Sequence, residues 1–262
     1  MREVFLLIIV KFLLIVKILA SSDHPNLLIM ISDDQSFPHA SAYGSKMIST
    51  PNFDKVAKEG ALFTNAFCAA PGCSPSRAAF LTGRHIWQIE EAGTHASSFP
   101  SKYSTFMWQL KDKGYHTGYT GKGWGPGNWK ISDRIENPAG PIYGSKKGNY
   151  AQAFKTFIND KPKDKPFAFW FGSSDPHRVF KKGSGLDSGK KLTDAEVPAF
   201  LPDSQEIRND LLDYAFEVER FDRDCGKFLE ILTQEGMMDN TMIIVTSDNG
   251  MAFPYAKANC TE

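Results

Sequence analysis

The segment NLLIMISDD, residues Asn26–Asp34, joins a short apolar run to two aspartates. The run starts directly after Pro25, and no charged residue interrupts it before Asp33. A continuous apolar run of this length is typical of a strand that is buried on both faces, as strands in parallel sheets are. The segment therefore predicts a buried strand that carries Asp33 and Asp34 at its carboxyl end.

Strand-like and helix-like segments alternate over the rest of the chain. The predicted elements are a helix from Pro51 to a stop at Gly60 with Thr50 as N-cap, a helix from about Thr105 to Lys113, a strand near Tyr115–Thr120, a helix near Ala151–Asn159, a strand at Phe167–Phe171, a long helix at Glu206–Gln234 and a strand at Met242–Thr246. Repeated strand-helix units predict an α/β fold with a mainly parallel or mixed sheet sandwiched between helices. Two long stretches, residues 121–148 and 173–202, lack periodicity and are expected to be loops.

Polar residues follow each predicted strand at its carboxyl end. They are Asp33 and Asp34 after the first strand, Lys122 after the second, Asp175 and His177 after the third, and Asp248 and Asn249 after the fourth. Ligands bind at this edge of open α/β sheets, so we expect these side chains to converge there. The alternative is that the Asp-Asp and Ser-Asp-Asn-Gly sequences are ordinary turns and helix caps.

The composition excludes several classes of protein. The chain has 262 residues, and its 42% hydrophobic content can fill a substantial core. Lysine plus arginine and aspartate plus glutamate both total 30, so no global positive field would attract nucleic acid. Four cysteines are too few for a disulfide-based scaffold.

The first 20 residues, MREVFLLIIVKFLLIVKILA, have a charged start and an apolar stretch that ends in small residues. This pattern predicts a signal peptide over residues 1–22 and a folded domain over residues 23–262. The alternative is a membrane anchor, but Lys11 and Lys17 inside the stretch would be costly in a bilayer. We therefore expect export to a periplasmic, extracellular or lysosome-like compartment, with no stable membrane span after cleavage.

The segment CSPSRAAFLTG, residues Cys73–Gly83, is the most specific motif of the chain. Pro75 suits the first turn of a helix and Gly83 its end, which would place Cys73 at a helix N-terminus. The oxygen ligands offered by the aspartates and Asn249 suit Ca²⁺ or Mg²⁺, whereas a thiolate is a soft ligand and would be mismatched with them. Without further information, Cys73 could also be a small buried residue or half of a disulfide.

The motif resembles the C-x-P-S-R signature of type I sulfatases, and the resemblance covers nearly the whole chain after the signal peptide. Within that family the chain is most similar to the heparan N-sulfatase (sulfamidase) branch, because of DPHR at Asp175–Arg178 and TSDNG followed by FPYAKAN at Phe253–Asn259. The resemblance implies an alkaline-phosphatase-like N-terminal domain, incomplete because family members continue into a C-terminal subdomain. It also implies that a maturation enzyme oxidises Cys73 to formylglycine.

The resemblance assigns a role to each candidate residue. Residues Asp33, Asp34, Asp248 and Asn249 would bind Ca²⁺, or Mg²⁺, together with modified Cys73. Arg77 would steady the modified residue, while Lys122, His177 and Lys257 would hold the sulfate and handle protons. The implied activity is hydrolysis of a sulfate ester or sulfamate on a sulfated sugar such as N-sulfoglucosamine. The alternatives are a phosphate or phosphonate hydrolase of the alkaline phosphatase superfamily, or an inactive fragment that binds only metal or glycan.

The sequence departs from the family at Trp124, where sulfatases commonly place a histidine two residues after the lysine. His85 or His95, in the loop after the signature motif, could supply the missing imidazole, or both could be ordinary surface histidines. The remaining cysteines, Cys68, Cys225 and Cys260, are an odd number. At least one of them is therefore expected to be free or paired outside the chain.

Overall fold

The computed structural model describes residues 24–145 and 148–258, which form a four-stranded sheet with helices on both faces. The strands are β1 (Asn26–Ser32), β2 (His116–Gly121), β3 (Phe167–Gly172) and β4 (Thr241–Ser247). Their order in the sheet is β2-β3-β1-β4, and every pair is parallel. The predicted parallel α/β architecture is confirmed. The predicted signal peptide and Cys260 lie outside the described residues.

The helices agree closely with the sequence pattern. They are α1 (Pro51–Glu59), α2 (Cys73–Thr82), α3 (Phe106–Asp112), α4 (Tyr150–Asp160), the single turn α5 (Ser184–Asp187) and α6 (Gln205–Gln234). The two stretches predicted to be loops also contain short 3-10 turns, at Trp129–Ile131 and Leu192–Asp194, and α5 is a helical turn that the sequence pattern did not predict. Within residues 24–145 and 148–258, no helix combines the length and the apolar character needed to cross a bilayer.

Each face of the sheet packs against its own set of helices. Because side chains alternate along a strand, Leu28 and Met30 of β1 pack with buried residues of α4 and α6. Their neighbours Ile29 and Ile31 face the other side, where they join buried residues of α2 and α3. All four side chains are at most 2% exposed, so the prediction of a strand buried on both faces is confirmed. Each such side chain contributes about 1.5–3 kcal/mol through burial.

The N-terminus of α1 is capped differently from the prediction. The Thr50 side chain does not cap the helix, because its hydroxyl is hydrogen-bonded to Ser41 and Asp54. Asp222 of α6 instead accepts hydrogen bonds from the backbone amides of Asn52, at 3.2 Å, and Phe53, at 2.8 Å. These are among the amides that a helix cannot satisfy internally. The cap therefore also fixes α1 against the long helix.

A buried histidine makes the stability of the fold depend on pH. The ring of His39 is hydrogen-bonded through Nδ1 to the Tyr214 hydroxyl, at 2.9 Å, in the otherwise apolar region beside α6. Burial lowers the pKa of His39 from its ordinary value of 6.5 to about 4, and Glu196 offsets only part of that effect.

Because the lowered pKa favours the neutral ring in the folded state, His39 contributes most above pH 6.5, and this contribution is lost as the pH falls towards 4. The expected loss is about 3 kcal/mol. We expect urea unfolding midpoints to fall less steeply over this range in His39→Asn, which keeps a polar atom near Nδ1, than in the wild type. Parallel pH profiles for the two proteins would contradict the assignment.

Candidate active site

Four acidic or sulfur-bearing side chains from three parts of the fold meet at the carboxyl ends of β1 and β4. One ligand atom from each of Asp33, Asp34, Cys73 and Asp248 lies within 4.8 Å of the others. All four residues are buried, at 4% exposure or less. The structure thus brings together residues that are separated by up to 215 positions in the chain, as the sheet topology predicted.

The backbone after β1 turns two successive carboxylates towards the same point. Successive side chains of a strand point to opposite faces, but Asp34 has a left-handed φ of 73°. Its amide donates a hydrogen bond to Asp248 Oδ1 at 3.0 Å, and the amide of Asp33 donates to the Asp175 carbonyl at 2.9 Å. A left-handed non-glycine residue costs about 1–3 kcal/mol. The strain is a local cost of placing both carboxylates in one site.

Asn249 completes this group with its side-chain amide. Its Nδ2 donates to Asp34 Oδ1 at 2.8 Å and to the Gly250 carbonyl at 2.9 Å, which fixes the amide orientation. Its Oδ1 is buried and, among the described residues, accepts no hydrogen bond. Buried polar atoms are rarely left unpaired. An orphaned oxygen beside three carboxylates is the donor set of a Ca²⁺ or Mg²⁺ site, so these residues fit a hard divalent cation.

Three basic side chains neutralise the acidic group. Lys122 Nζ lies 2.6 and 2.7 Å from the two oxygens of Asp33, and Lys257 Nζ lies 2.6 and 2.5 Å from those of Asp34. Arg77 Nε donates to Asp248 Oδ2 at 2.8 Å. Burial alone would raise the pKa of Asp33, but the charges of Arg77 and Lys122 lower it below its ordinary value. Asp33 therefore remains an anion at neutral pH.

Arg77 is hydrogen-bonded to residues that surround Cys73. Besides the bond to Asp248, its Nη2 lies 3.9 Å from Asp33 Oδ1, and its Nη1 donates to the Lys122 carbonyl at 2.8 Å. The guanidinium is 1% exposed. It therefore ties the loops after β1, β2 and β4 together beneath the site.

Cys73 is the first residue of α2, as the sequence predicted, and its thiol faces the carboxylates. Its Sγ lies 3.3 Å from Asp33 Oδ1 and 3.6 Å from Asp34 Oδ1. Burial, together with the charges of Asp248 and Asp33, raises the pKa of the thiol to about 12. The thiol therefore stays protonated at neutral pH, and in that form it is neither a good nucleophile nor a metal ligand.

His177 lies at the open side of the site. Its Nδ1 donates to the Arg178 carbonyl at 2.5 Å, and its Nε2 lies 3.8 Å from Asp34 Oδ2. The side chain is 42% exposed. Because Nδ1 is committed to the backbone, Nε2 is the ring nitrogen that can exchange a proton with a bound molecule.

Two arginines that hold the His177 loop were not assigned a role from the sequence. Arg220 of α6 donates to both oxygens of Asp175, at 3.0 and 2.7 Å. Arg178 donates to the Ala252 carbonyl at 2.8 Å and to both oxygens of Asp210. No local sequence pattern indicates that Arg220, on the long helix, contacts Asp175. Arg178 belongs to the DPHR motif, and that motif was the signal that could have identified it.

Trp124 occupies a structural position. It is 3% exposed, and its indole Nε1 donates to the Ser74 carbonyl at 3.1 Å. Its ring packs edge-to-face on Phe99 with a centroid distance of 5.2 Å. An indole cannot exchange protons near neutral pH, so it does not replace the histidine that the family pattern places there.

The two alternative histidines lie in different surroundings. The ring of His85 stacks on exposed Trp87, with a centroid distance of 4.3 Å. His95 lies beside the residue before Cys73, because a Cβ atom added at Gly72 would be 3.9 Å from its Nδ1.

Comparison with known proteins relates the chain to a family. The model of the Sulfatase family matches residues 25–259. The chain is similar to human N-sulphoglucosamine sulphohydrolase, with 29% identity over 89% of this chain and 52% of that protein. It is also similar to human N-acetylgalactosamine-6-sulfatase, with 29% identity over 87% of this chain and 50% of that protein. The chain spans about half the length of these two relatives.

Proteins of lower sequence identity share this fold. The solved structure of the phosphonate monoester hydrolase of Agrobacterium radiobacter matches with a TM-score of 0.69 and 16% identity. The match covers 87% of this chain and 63% of that one. At this identity the likeness concerns the fold alone.

Proposed function

Since the chain belongs to the sulfatase family, we propose that it releases sulfate from a sulfated sugar by hydrolysing a sulfate ester or a sulfamate. The observation that carries the proposal is the buried group of three carboxylates around Cys73, with the orphaned Asn249 oxygen beside it. This donor set suits a divalent cation, and the two lysines at its edge suit the oxygens of an anionic substrate.

The proposal includes Ca²⁺, with Mg²⁺ as the alternative, held by Asp33, Asp34, Asp248, Asn249 and residue 73. It also includes conversion of Cys73 to formylglycine by a separate maturation enzyme, because the unmodified thiol is protonated and is a mismatched ligand among hard oxygens. When present, the cation and the hydrated aldehyde supply positive charge and an oxygen nucleophile.

The chain's own residues bind the substrate and move protons. Lys122 and Lys257 now neutralise Asp33 and Asp34, and a bound cation would take over that role. Their ammonium groups could then pair with the sulfuryl oxygens, where such charges are worth several kcal/mol in a transition state. His177 Nε2, on the open side, would give a proton to the leaving oxygen or nitrogen. Arg77 keeps Asp248 paired while this happens.

The proposed substrate is a sugar with an N-sulfoglucosamine unit. This choice rests on the similarity to human N-sulphoglucosamine sulphohydrolase and on DPHR at Asp175–Arg178. The proposal also places the protein outside the cytoplasm, in a periplasmic, extracellular or lysosome-like compartment, on the basis of the predicted signal peptide.

A comparison of matched esters tests the proposal. The chain is produced together with a formylglycine-generating enzyme and assayed on 4-nitrophenyl sulfate, 4-nitrophenyl phosphate and N-sulfoglucosamine. We expect kcat/KM for the sulfate ester to exceed that for the phosphate ester by at least about 100-fold, or about 2.7 kcal/mol of transition-state discrimination. A preference for phosphate would favour the phosphatase alternative. Binding of the sugar without release of sulfate would favour the inactive fragment.

A further inference from the structure

His95 lies over the first turn of α2, at the edge of the candidate site. Its ring is next to Gly72, and the preceding carbonyl, of Pro71, accepts a hydrogen bond at 2.8 Å from the amide of Ala258. Ala258 directly follows Lys257 in the chain. The short segment that leads into Cys73 therefore lies beside both the His95 ring and the backbone next to Lys257.

The backbone around His95 is held in a strained conformation. Ala96 has a left-handed φ of 55°, and its amide donates to Ser74 Oγ at 3.1 Å. Ser74 is fully buried, and its carbonyl accepts the indole hydrogen bond of Trp124. Trp124, which stands where the family pattern has a histidine, thus helps to hold the turn that carries His95. Strain of this kind at a non-glycine residue is concentrated at functional sites.

The imidazole of His95 is not hydrogen-bonded within residues 24–145 and 148–258. The side chain is exposed, and neither ring nitrogen forms a hydrogen bond with another residue of the described chain. The exposed ring can therefore hydrogen-bond to a bound molecule. In contrast, His85 in the same loop lies flat against Trp87.

We propose that His95 is a substrate-binding residue of this site, which hydrogen-bonds to the sulfated sugar and thereby favours sugar substrates over small sulfate esters. The inference rests on the proposed function. Because His95 and the backbone next to Lys257 border the same short segment, residues 71–72, His95 is a neighbour that a sugar could meet when its sulfate contacts Lys257. An aryl sulfate has no hydroxyl or amine to offer there.

Binding measurements can test this independently of turnover. In a Cys73→Ala background, titration calorimetry with a disaccharide that ends in N-sulfoglucosamine gives the Kd. We expect His95→Ala to weaken binding about tenfold, as loss of one hydrogen bond to a charged or polar ligand does. His95→Gln, which keeps an amide donor, should recover part of that loss, and His85→Ala should stay within about twofold of the reference.

In the otherwise wild-type enzyme, His95→Ala should lower kcat/KM on the disaccharide about tenfold, mainly through KM, and leave 4-nitrophenyl sulfate hydrolysis within about twofold. Equal disaccharide binding by His95→Ala and its reference, including no binding by either, would overturn the inference. An equal loss on both substrates would overturn it too. If binding depends on His95 but no protein releases sulfate, the inference stands and the proposed function fails.

Discussion

Replacing Cys73 by alanine is expected to lower kcat/KM for sulfate release by more than about 1000-fold. The methyl group of alanine cannot be oxidised to an aldehyde, so no oxygen nucleophile can form among the carboxylates. The fold should survive, because the thiol is a small side chain whose Sγ makes only weak contacts, at 3.3 and 3.6 Å, with two aspartates. Sulfate release is measured by ion chromatography, and folding by thermal unfolding.

Cys225→Ala is the matched control for this experiment. Cys225 is also buried, at 1% exposure, and burial raises the pKa of its thiol well above the ordinary value. It lies in α6 within the core on the opposite side of the sheet from α2. This variant should keep its activity, and peptide mass spectrometry should find the aldehyde at residue 73 in it. Sulfate release by Cys73→Ala close to that of the control would refute the role of Cys73.

Calcium is expected to stabilise the folded protein, and Asp34→Asn is expected to abolish that effect. A ligand that binds only the native state at 100 times its Kd adds about 2.7 kcal/mol to the free energy of unfolding. Asp34 is fully buried and lies within 4.8 Å of Asp33, Cys73 and Asp248, so neutralising it removes charge from the centre of the donor set. The measurement is the shift in urea midpoint between EDTA and excess Ca²⁺.

The shift, rather than the midpoint itself, is the quantity to compare, because Asp34→Asn also breaks the ion pair with Lys257. Asp164→Asn, at an exposed carboxylate, is the control and should show the wild-type shift. The idea of a cation at this position fails if Ca²⁺ and Mg²⁺ leave the wild-type midpoint unchanged, or if Asp34→Asn responds as strongly as the control.

The sequence was most informative where local pattern and burial agree. The apolar run of β1 and the periodicity of α6 predicted elements that the structure contains with nearly the same ends, because each pattern reflects which face is buried. Because the carboxyl ends of parallel strands lie at one edge of the sheet, the parallel topology was enough to predict that Asp33 and Asp248 lie close together, as they do in the structure.

The details that failed or were missed depend on partners far away in the chain. The cap of α1 comes from Asp222, 170 positions after Asn52, so the local Thr50-Pro51 pattern could not reveal it. The contact of Arg220 with Asp175 is equally distant from any local motif. The sequence offered His85 and His95 as equal alternatives. In the structure His85 stacks on Trp87, whereas His95 lies beside Gly72.

The depth of Cys73 has a consequence for the order of events during biosynthesis. The successive residues Cys73 to Arg77 are all buried in the folded chain. Another enzyme therefore could not bind this segment in its active site unless α2 unfolded. If the aldehyde is made, it must be made on the nascent or still unfolded polypeptide. The rate of folding relative to the rate of modification then matters. A chain that folds before the modifying enzyme acts on it keeps an unreactive thiol at residue 73, even when its fold is correct.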